Sequence, residues 1–349
     1  MLDRPCFGRA VPGEIECVGN VEVIAEHGTG MLAGDAWEAL AASAGTVFHT
    51  RAFLTSWWQD RLAKNSGSHL VTAMIVDDGQ VVGVCPFELD ADRLSFAGGR
   101  DVVDYMGPVA AAGREKEVAA ALVRLMFEEL SWTRADLAGL LQDDPMVQAL
   151  VCEIQRVAPD AGVESYDQAP RIEAIPQGSA YLQLLNSKRR GDVLRKRARL
   201  IEAVGELELV VSTPETAPDA LERLLVWKAQ SSPETREFVA EYGGFMRTLV
   251  DELAAVDACH VVELHASGRP LASAIRLRHR DTAYIYNMSY DMDLAAEFPG
   301  AAPGVVLVSL LVERNLERGL RFDFLKGAQD YKLRLGGVPV DLIDISIRR

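Results

Sequence analysis

The sequence has too little positive charge for a protein that coats nucleic acid. It holds 36 Lys and Arg against 51 Asp and Glu, which gives a formal charge of −15 over 349 residues. Duplex DNA is bound through its phosphates, which require a positive face on the protein. The balance therefore argues against general DNA binding, although it permits a local basic site.

Cysteine is scarce, and long apolar runs are absent. The five cysteines are odd in number, scattered and without a CxxC pair, which argues against a disulfide framework or a structural zinc site. They are Cys6, Cys17, Cys85, Cys152 and Cys259. The longest apolar stretch, at 305–312, is interrupted by Ser309 and falls short of the roughly 20 residues that span a bilayer. Residues 1–20 contain no signal-like apolar region. We expect a cytoplasmic protein, with the inner face of the membrane as an alternative location.

Familiar catalytic motifs are also missing. The sequence contains no GxxxxGK[ST], HExxH or GxSxG, and no GxGxxG after a strand. The six histidines show no metal-ligand spacing; His260 and His265, for example, fall on opposite faces of a predicted strand. We therefore expect neither metal catalysis nor a bound metal.

A long-range repeat organises the chain. Four landmarks recur in one order, and the three pairs of single residues among them lie 185 to 189 positions apart. The landmarks are the hairpin glycines Gly79 and Gly268, the tyrosines Tyr105 and Tyr290, an apolar-striped helix in each half, and the strand aspartates Asp136 and Asp323. Chance similarity of hairpins is the alternative. Duplication predicts an α+β protein with two tandem domains, each a mixed central sheet flanked by helices.

The predicted boundary lies in APRIEAIPQG at 169–178, which contains two prolines and a glycine. We therefore predict a lead-in over residues 1–20, a first domain over 21–172 and a second domain over 173–349.

The apolar-striped helix of the second half begins in FPGAAPGVVLV at 298–308. Gly300 and Gly304 free the backbone, and Pro303 pre-sets the first helical turn. Exposed N–H groups and the positive end of the helix dipole suit a pyrophosphate or another anion. The alternative is an ordinary helix start after a flexible loop.

A basic segment, SKRRGDVLRKRARL at 187–200, stands out in so acidic a chain. Its seven basic residues are Lys188, Arg189, Arg190, Arg195, Lys196, Arg197 and Arg199. Leu194, Ala198 and Ile201 form one apolar stripe, and Lys188, Arg195 and Arg199 share another face. The segment suits contact with the phosphates of a substrate, a cofactor or tRNA. A solvated basic helix is the alternative.

The segment FDFLKGAQDYKLRLGG at 322–337 follows a short strand with a turn. Tyr331 is a candidate proton donor, and Lys332 is a candidate for stabilising developing negative charge. A surface turn with an amphipathic Tyr-Lys pair is the alternative.

The first half offers two further candidate groups. Trp57 and Trp58 are adjacent, so we expect that they cannot share one helix face and that one lines a cleft; core packing is the alternative. Asp104 and Tyr105 stand beside a Gly-Pro turn in DYMGPV. Asp104 is a candidate general base or a turn-capping aspartate.

Taken together, FxTxxFLxxWW, DYMGPV, LRKRAR and GLRFDFLKGAQDYKLRLGG resemble the CelD/BcsL group of GNAT-fold acyltransferases. The resemblance runs from about residue 40 to the end of the chain. These proteins are relatives of the Fem peptidoglycan transferases. The resemblance implies two tandem GNAT-like domains that transfer an acyl group to an amine. Fem proteins use aminoacyl-tRNA as donor, whereas the CelD/BcsL group is assigned acyl-CoA, with acceptors in polysaccharide, envelope or lipid-amine metabolism.

The resemblance also implies roles for several residues. Lys332 matches the lysine of the Fem pattern FKxxFGG at the reaction centre, with Tyr331 in place of its aromatic residue. Trp57 and Trp58 match acceptor-site aromatics, with Tyr105 nearby, and Arg195 and Arg199 fall in a substrate-contacting helix. The pyrophosphate loop [RQ]xxGx[GA] corresponds to PGAAPG here, which matches only in its glycines.

These residues combine into one expected mechanism, direct transfer in a ternary complex. The pantetheine chain of the donor lies between the strands that end near Tyr290 and Asp323, and its pyrophosphate lies near Gly300–Val305. Asp104 or Asp323 accepts the proton of the amine, Tyr331 protonates the leaving thiolate, and Lys332 stabilises the oxyanion or a donor phosphate.

We thus expect acyl-CoA and an amine as partners, no DNA, and peripheral membrane contact as an option. Two other function classes stay open: aminoacyl transfer from tRNA, and a non-catalytic binding protein on the same fold.

Overall fold

The computed structural model describes residues 21–64, 67–176 and 179–349, so the predicted lead-in lies outside the described residues. The contacts between residues divide the chain into two compact units. The first unit extends to Tyr166 and also includes Asp341–Arg349, and the second is Asp167–Val340. This division differs from the predicted boundary at 172/173. The first division point, 166/167, lies within the strand Gly162–Ile172, and the second, 340/341, lies within the strand Val338–Arg348.

The first unit has a strand, two helices, a three-stranded meander, a helix, a strand and a helix. Its strands are β1 Glu22–His27, β2 His69–Asp77, β3 Gln80–Asp90, β4 Arg93–Phe96, β5 Val109–Ala110 and β6 Arg134–Leu141. Its helices are α1 Asp35–Ala44, α2 Arg51–Ala63, α3 Glu115–Arg124 and α4 Pro145–Val157, with 3-10 turns at Met31–Ala33 and Val47–His49 and a π-helical turn at Leu125–Glu129.

Two further strands each run across one of the two division points. These strands are β7 Gly162–Ile172 and, near the end of the chain, β13 Val338–Arg348. In the second unit the remaining strands are β8 Leu207–Val211, β9 Cys259–Ala266, β10 Arg269–His279, β11 Thr282–Tyr290 and β12 Arg321–Asp323. Its helices are α5 Tyr181–Leu184, α6 Ser187–Val204, α7 Ala217–Ser231, α8 Pro233–Ala254, α9 Met292–Glu297, α10 Pro303–Leu316 and α11 Asp330–Arg334.

The strands of the two units follow the same order. The strand order is β1-β2-β3-β4-β6-β13 in the first unit and β8-β9-β10-β11-β12-β7 in the second. In each sheet the pairing is antiparallel except between the fourth and fifth strands, β4 with β6 and β11 with β12, which are parallel. The predicted α+β class, with a mixed sheet flanked by helices in each of two tandem copies, is confirmed.

The sixth strand of the first unit comes from the far end of the sequence, and that of the second unit comes from the beginning of its own segment. In the first unit it is the end of β13, where Leu342 pairs with Leu141 and Arg348 with Arg134. In the second unit it is the end of β7, where Ile172 pairs with Phe322 and Arg171 with Asp323. Because Asp341–Arg349 belongs to the first unit, no single cut in the sequence separates the two units.

The predicted hairpins are both present, and their turn chemistry explains them. Asp78 and Gly79 have φ of 47° and 75°, and Ser267 and Gly268 have φ of 50° and 77°. Positive φ at both central residues is the type I′ pattern, whose twist matches that of paired strands. These turns set the register of β2 with β3 and of β9 with β10.

Local capping defines where the helices begin. The Asn186 side chain accepts a hydrogen bond from the Arg189 amide at 2.9 Å and so caps α6, and α6 ends at Gly205 with φ of 91°. Ser232 and Thr235 form a capping box at the start of α8, which is followed by Pro233 in the first turn.

Each unit has its own apolar core. In the first unit Trp37, Phe48, Phe53 and Phe87 are almost completely buried, and the Phe48 and Phe53 rings meet edge to face at 5.0 Å. In the second unit the buried face of α10 packs on the sheet together with Tyr181, Phe322 and Phe324. Burial of these large side chains is the main stabilising contribution.

Candidate active site

The start of α10 is shaped for close approach by a ligand. Gly300 has φ of 86°, and the N-cap Ala302 has φ of 48°, so the loop before the helix is left-handed at two positions. Pro303 occupies the first turn, which holds no acidic side chain. The backbone N–H groups of this turn and the positive end of the helix dipole are therefore suited to bind an anion, because no carboxylate in the first turn of the helix would repel it.

Gly304 is required by packing at the same place. A Cβ atom at residue 304 would lie 2.5 Å from Met288 Cε and 3.0 Å from Tyr290 Cδ1. A side chain at residue 304 would displace the end of Met288 and press on the Tyr290 ring, so glycine favours the close approach of α10 to the end of β11. The first turn of α10, with Pro303 and Gly304, thus lies against Tyr290.

Arg199 of the basic helix reaches the same loop. A Cβ atom at Gly300 would lie 3.5 Å from Arg199 Nη1. Arg199 is exposed, so its guanidinium is available to a ligand that approaches the loop. Arg195, in contrast, forms an ion pair with Asp192 at 3.1 Å on its own helix.

The end of β11 lies beside this loop. The parallel pairing of β11 with β12 ends at Tyr284 and Asp323, and β11 continues to Tyr290. Residues 285–290 of β11 therefore extend beyond the pairing with β12. In the first unit the equivalent strand β4 is only four residues long, so this extension is much shorter there.

A small cleft lies between α6, α10 and α11. Its volume is about 80 Å³. The lining includes Val305 and Val306 from the first turn of α10, Ser309, and Tyr331. Burial raises the pKa of Tyr331 to about 12, so this phenol keeps its proton at neutral pH and can donate it.

Ion pairs line the rest of the cleft. Lys196 binds Asp192 and Arg334 binds Asp330, each four residues apart on a helix. The hydrogen bond from Lys196 is the main cause of the lowered pKa of Asp192. The sequence analysis missed Asp192, Ser309, Asp330 and Arg334 as lining residues; the i,i+4 spacing of both charge pairs was the available signal.

The face of the basic helix α6 that packs on the core is not the apolar stripe that the sequence shows. Val193 and Leu200 are buried, and Arg197 reaches inward to Ser309 Oγ at 3.0 Å and Glu313 at 2.7 Å. The stripe formed by Leu194, Ala198 and Ile201 is exposed. Arg197 is therefore a structural tie between α6 and α10.

Lys332 and Asp323 brace one turn. Lys332 is 5% exposed, and its Nζ donates to the carbonyl oxygens of Leu325 at 3.1 Å and Lys326 at 2.7 Å. The Asp323 carboxylate accepts a hydrogen bond from the Leu325 amide at 2.7 Å. Leu325 has φ of 58°, a conformation that needs such support in a residue with a side chain.

The first-unit candidates lie in or near the core of that unit. Trp57, Trp58 and Tyr105 are all buried, and the expectation that one tryptophan lines a cleft stays a prediction. Tyr105 meets Phe48 edge to face at 5.8 Å. Asp104 is half-buried in the loop before β5, next to Met106, whose amide donates to Gly139 O at 2.9 Å.

In the first unit, the described helix that corresponds to α10 has a different start. This helix, α3, has Glu115 and Glu117 in the first turn. Arg114, at the N-cap, is engaged by Asp77 at 2.6 Å and by Glu117. Two carboxylates at this helix end repel an anion, so the geometry favours the second unit.

The described residues contain neither a cluster of metal ligands nor a membrane-spanning helix. Across residues 21–64, 67–176 and 179–349, no group of three His, Cys, Asp or Glu side chains is placed to hold a metal ion. Among the helices in the described part of the chain, none combines the length and apolar content needed to cross a bilayer.

The family comparison falls on the second unit. Residues 187–333 match the family of acetyltransferase (GNAT) domains. The match contains α10, most of the cleft lining, Tyr331 and Lys332, and we refer to residues 187–333 as the GNAT-type domain. No curated protein matches the sequence.

Solved structures resemble nearly the whole chain. A conserved protein of unknown function from Bacteroides thetaiotaomicron is 13% identical with a TM-score of 0.61, over 93% of this chain and 100% of that one. FemX is 11% identical with a TM-score of 0.58, over 89% and 95%. A tandem GNAT protein from the clavulanic acid biosynthesis pathway is 11% identical with a TM-score of 0.50, over 94% and 98%. At these identities the likeness concerns the fold alone.

Proposed function

We propose that the protein transfers an acyl group from acyl-CoA to an amine, directly and in a ternary complex. The acceptor class is an amine of the cell envelope, a polysaccharide or a lipid. The observation that carries the proposal is the start of α10, where left-handed backbone, Gly304 packed on β11 and the Arg199 guanidinium converge. An anionic donor fits this combination. The start of α10 lies inside the GNAT-type domain.

The donor is expected to follow the shape of this region. Its pyrophosphate binds the N–H groups of Gly300–Val305 and the Arg199 side chain. Its pantetheine arm lies along residues 285–290, where β11 continues beyond the end of its pairing with β12. Backbone groups on that strand edge bind the amides of the arm and polarise the thioester carbonyl.

The chemistry needs one proton acceptor and one proton donor. The neutral amine attacks the thioester carbonyl, the C–N bond forms and the C–S bond breaks. Tyr331 gives its proton to the departing thiolate, and Asp104 and Asp323 are the candidate acceptors of the amine proton. Lys332 supports the site through the turn at Leu325 and Lys326. Positioning of the two substrates supplies most of the rate gain.

Aminoacyl transfer from tRNA is the second candidate function. The observation that favours it is the row of exposed cations on α6, which includes Lys188, Arg189 and Arg190. The likeness to FemX in fold, and the use of aminoacyl-tRNA by the Fem transferases that the sequence resembles, point the same way.

Calorimetry with CoA and with tRNA separates the two functions. We expect CoA to bind and Arg199→Gln to weaken it about tenfold, because one charge-assisted contact to a phosphate is lost. Arg189→Gln, on the same helix but away from the loop, is the matched control and should leave CoA binding unchanged. Absence of CoA binding together with tRNA binding that falls steeply with salt would replace the first proposal by the second.

A further inference from the structure

An apolar stripe on α6 is exposed and has no cover within the described chain. Leu194, Ala198 and Ile201 lie at positions i, i+4 and i+7, so they share one face of the helix. Leu194 is 47% exposed and Ile201 is 48% exposed. The buried face of the same helix, with Val193 and Leu200, already serves the core. The stripe is therefore an additional apolar surface rather than part of the folding core.

Cations continue this stripe and border one side of it. Arg190 lies one turn before Leu194 on the same face, and Lys188, Arg195 and Arg199 follow one adjacent flank; all four are exposed. Over α6 there are seven basic residues against two acidic ones, Asp192 and Glu202, which gives a local charge of +5 in a chain of −15. An exposed apolar stripe bordered by basic residues is the pattern of a helix that lies in the plane of a membrane surface.

We propose that α6 binds the surface of an anionic lipid bilayer, with the stripe entering the headgroup region and the bordering cations contacting lipid phosphates. This occupant satisfies both features at once, because a bilayer offers acyl chains and anionic phosphates at two depths. RNA would be complementary only to the positive charge, because its phosphates and sugars provide no apolar surface for Leu194 and Ile201. The inference stands independently of the proposed acyl transfer.

The position of α6 gives this contact a functional meaning. Val193 and Lys196 line the cleft, and Arg199 lies against Gly300 of the loop before α10. Binding through the exposed stripe would hold the cleft close to the lipid surface. An acceptor amine carried by a lipid, or an acyl donor formed at the membrane, would then meet the site without leaving the bilayer surface.

Vesicle flotation with the full chain tests the inference. The probes are vesicles of phosphatidylcholine alone and vesicles with phosphatidylglycerol added. We expect flotation with the anionic vesicles only, weakened several-fold by high salt because the cations are screened. The double substitution Leu194→Ser and Ile201→Ser should reduce the bound fraction about tenfold. Leu62→Ser is the matched control, because Leu62 is 59% exposed on α2 of the first unit, and it should change nothing.

Three outcomes overturn the inference. Equal flotation with neutral vesicles would remove the anionic requirement, and undiminished flotation of the Leu194→Ser and Ile201→Ser variant would remove the stripe. A dimer in sedimentation that this variant dissociates, without vesicle binding, would assign the stripe to a second copy of the chain. Unchanged thermal unfolding and CoA binding in the variant establish that it is folded, so lost flotation counts for the inference.

Discussion

The buried amine of Lys332 has two carbonyl partners, Leu325 O and Lys326 O, at 3.1 and 2.7 Å. Its aliphatic stem lies in the core, and its charge is held at the turn where Leu325 adopts positive φ. A buried ammonium is retained only where hydrogen bonds offset its desolvation. The side chain therefore acts on the site through the backbone of this turn.

Replacing Lys332 by Met should destabilise the protein. The two carbonyl oxygens lose their donor, which costs about 2 kcal/mol in the free energy of unfolding, and turnover should fall because the turn shifts. Urea denaturation measures the first effect. Lys116→Met, at an exposed lysine on α3, is the control. Full stability together with lost turnover would instead indicate direct contact of Lys332 with substrate.

The phenol of Tyr331 permits a second test at this scale. Tyr331→Phe should lower kcat about 100-fold, the usual size of a lost general acid, and leave the KM for the donor nearly unchanged. Because burial raises the pKa of Tyr331 to about 12, the proton stays on the phenol through the accessible alkaline range. The rate should therefore show no loss due to this group between pH 7 and 10. A wild-type alkaline limb near pH 10 that disappears in Tyr331→Phe would contradict this assignment.

At the scale of elements, the approach of α10 to β11 depends on a missing side chain. Gly304→Val should push the first helical turn away from Met288 and Tyr290, because even a Cβ would lie 2.5 Å from Met288 Cε. Overpacking of this kind costs about 1–3 kcal/mol, and CoA affinity should fall with it. Thermal unfolding and calorimetry measure the two effects.

The matched control for Gly304→Val is Gly191→Ala on α6, where a Cβ meets nothing within 4 Å. That change should stabilise the protein by up to about 1 kcal/mol, because alanine is the better helix former. Equal tolerance of Gly304→Val would show that α10 does not need its close approach to β11.

Elements were predictable from sequence where local chemistry determines them. The Asp78-Gly79 and Ser267-Gly268 turns define both hairpins, and the apolar spacing of α3 and α10 identifies both helices. The buried face of α6 was not predictable in this way. Leu194, Ala198 and Ile201 repeat with the same helical period as the core-facing Val193 and Leu200, and only packing against the sheet decides between the two stripes. Likewise, the inward course of Lys332 depends on a turn whose backbone no motif reveals.

At the scale of the molecule, two copies of one topology differ at the equivalent helix end. The start of α10 presents free backbone and Arg199, whereas α3 begins with Glu115 and Glu117. β11 is also longer than β4, with nine residues against four. The two units therefore share one architecture, and the features that suit an anion lie at the start of α10 in the second unit.

Each chain should accordingly bind a single CoA. Calorimetric titration gives the stoichiometry directly, and competition by CoA for a fluorescent analogue gives an independent value. Glu115→Gln and Glu117→Gln together should leave the second-unit affinity unchanged. Two equivalent sites in the wild-type chain would contradict the assignment of the donor to one unit.

The origin of the sixth strand in each sheet has a consequence for synthesis on the ribosome. Residues 341–349, which pair with β6, emerge only after the whole of the second unit has been made. Until then, the growing amino-terminal portion has an open β6 edge and an apolar surface that Leu342, Ile345 and Ile347 later cover. Nascent chains arrested before residue 341 should therefore need protection by a chaperone, and the amino-terminal portion can reach its finished form only after translation has passed that point.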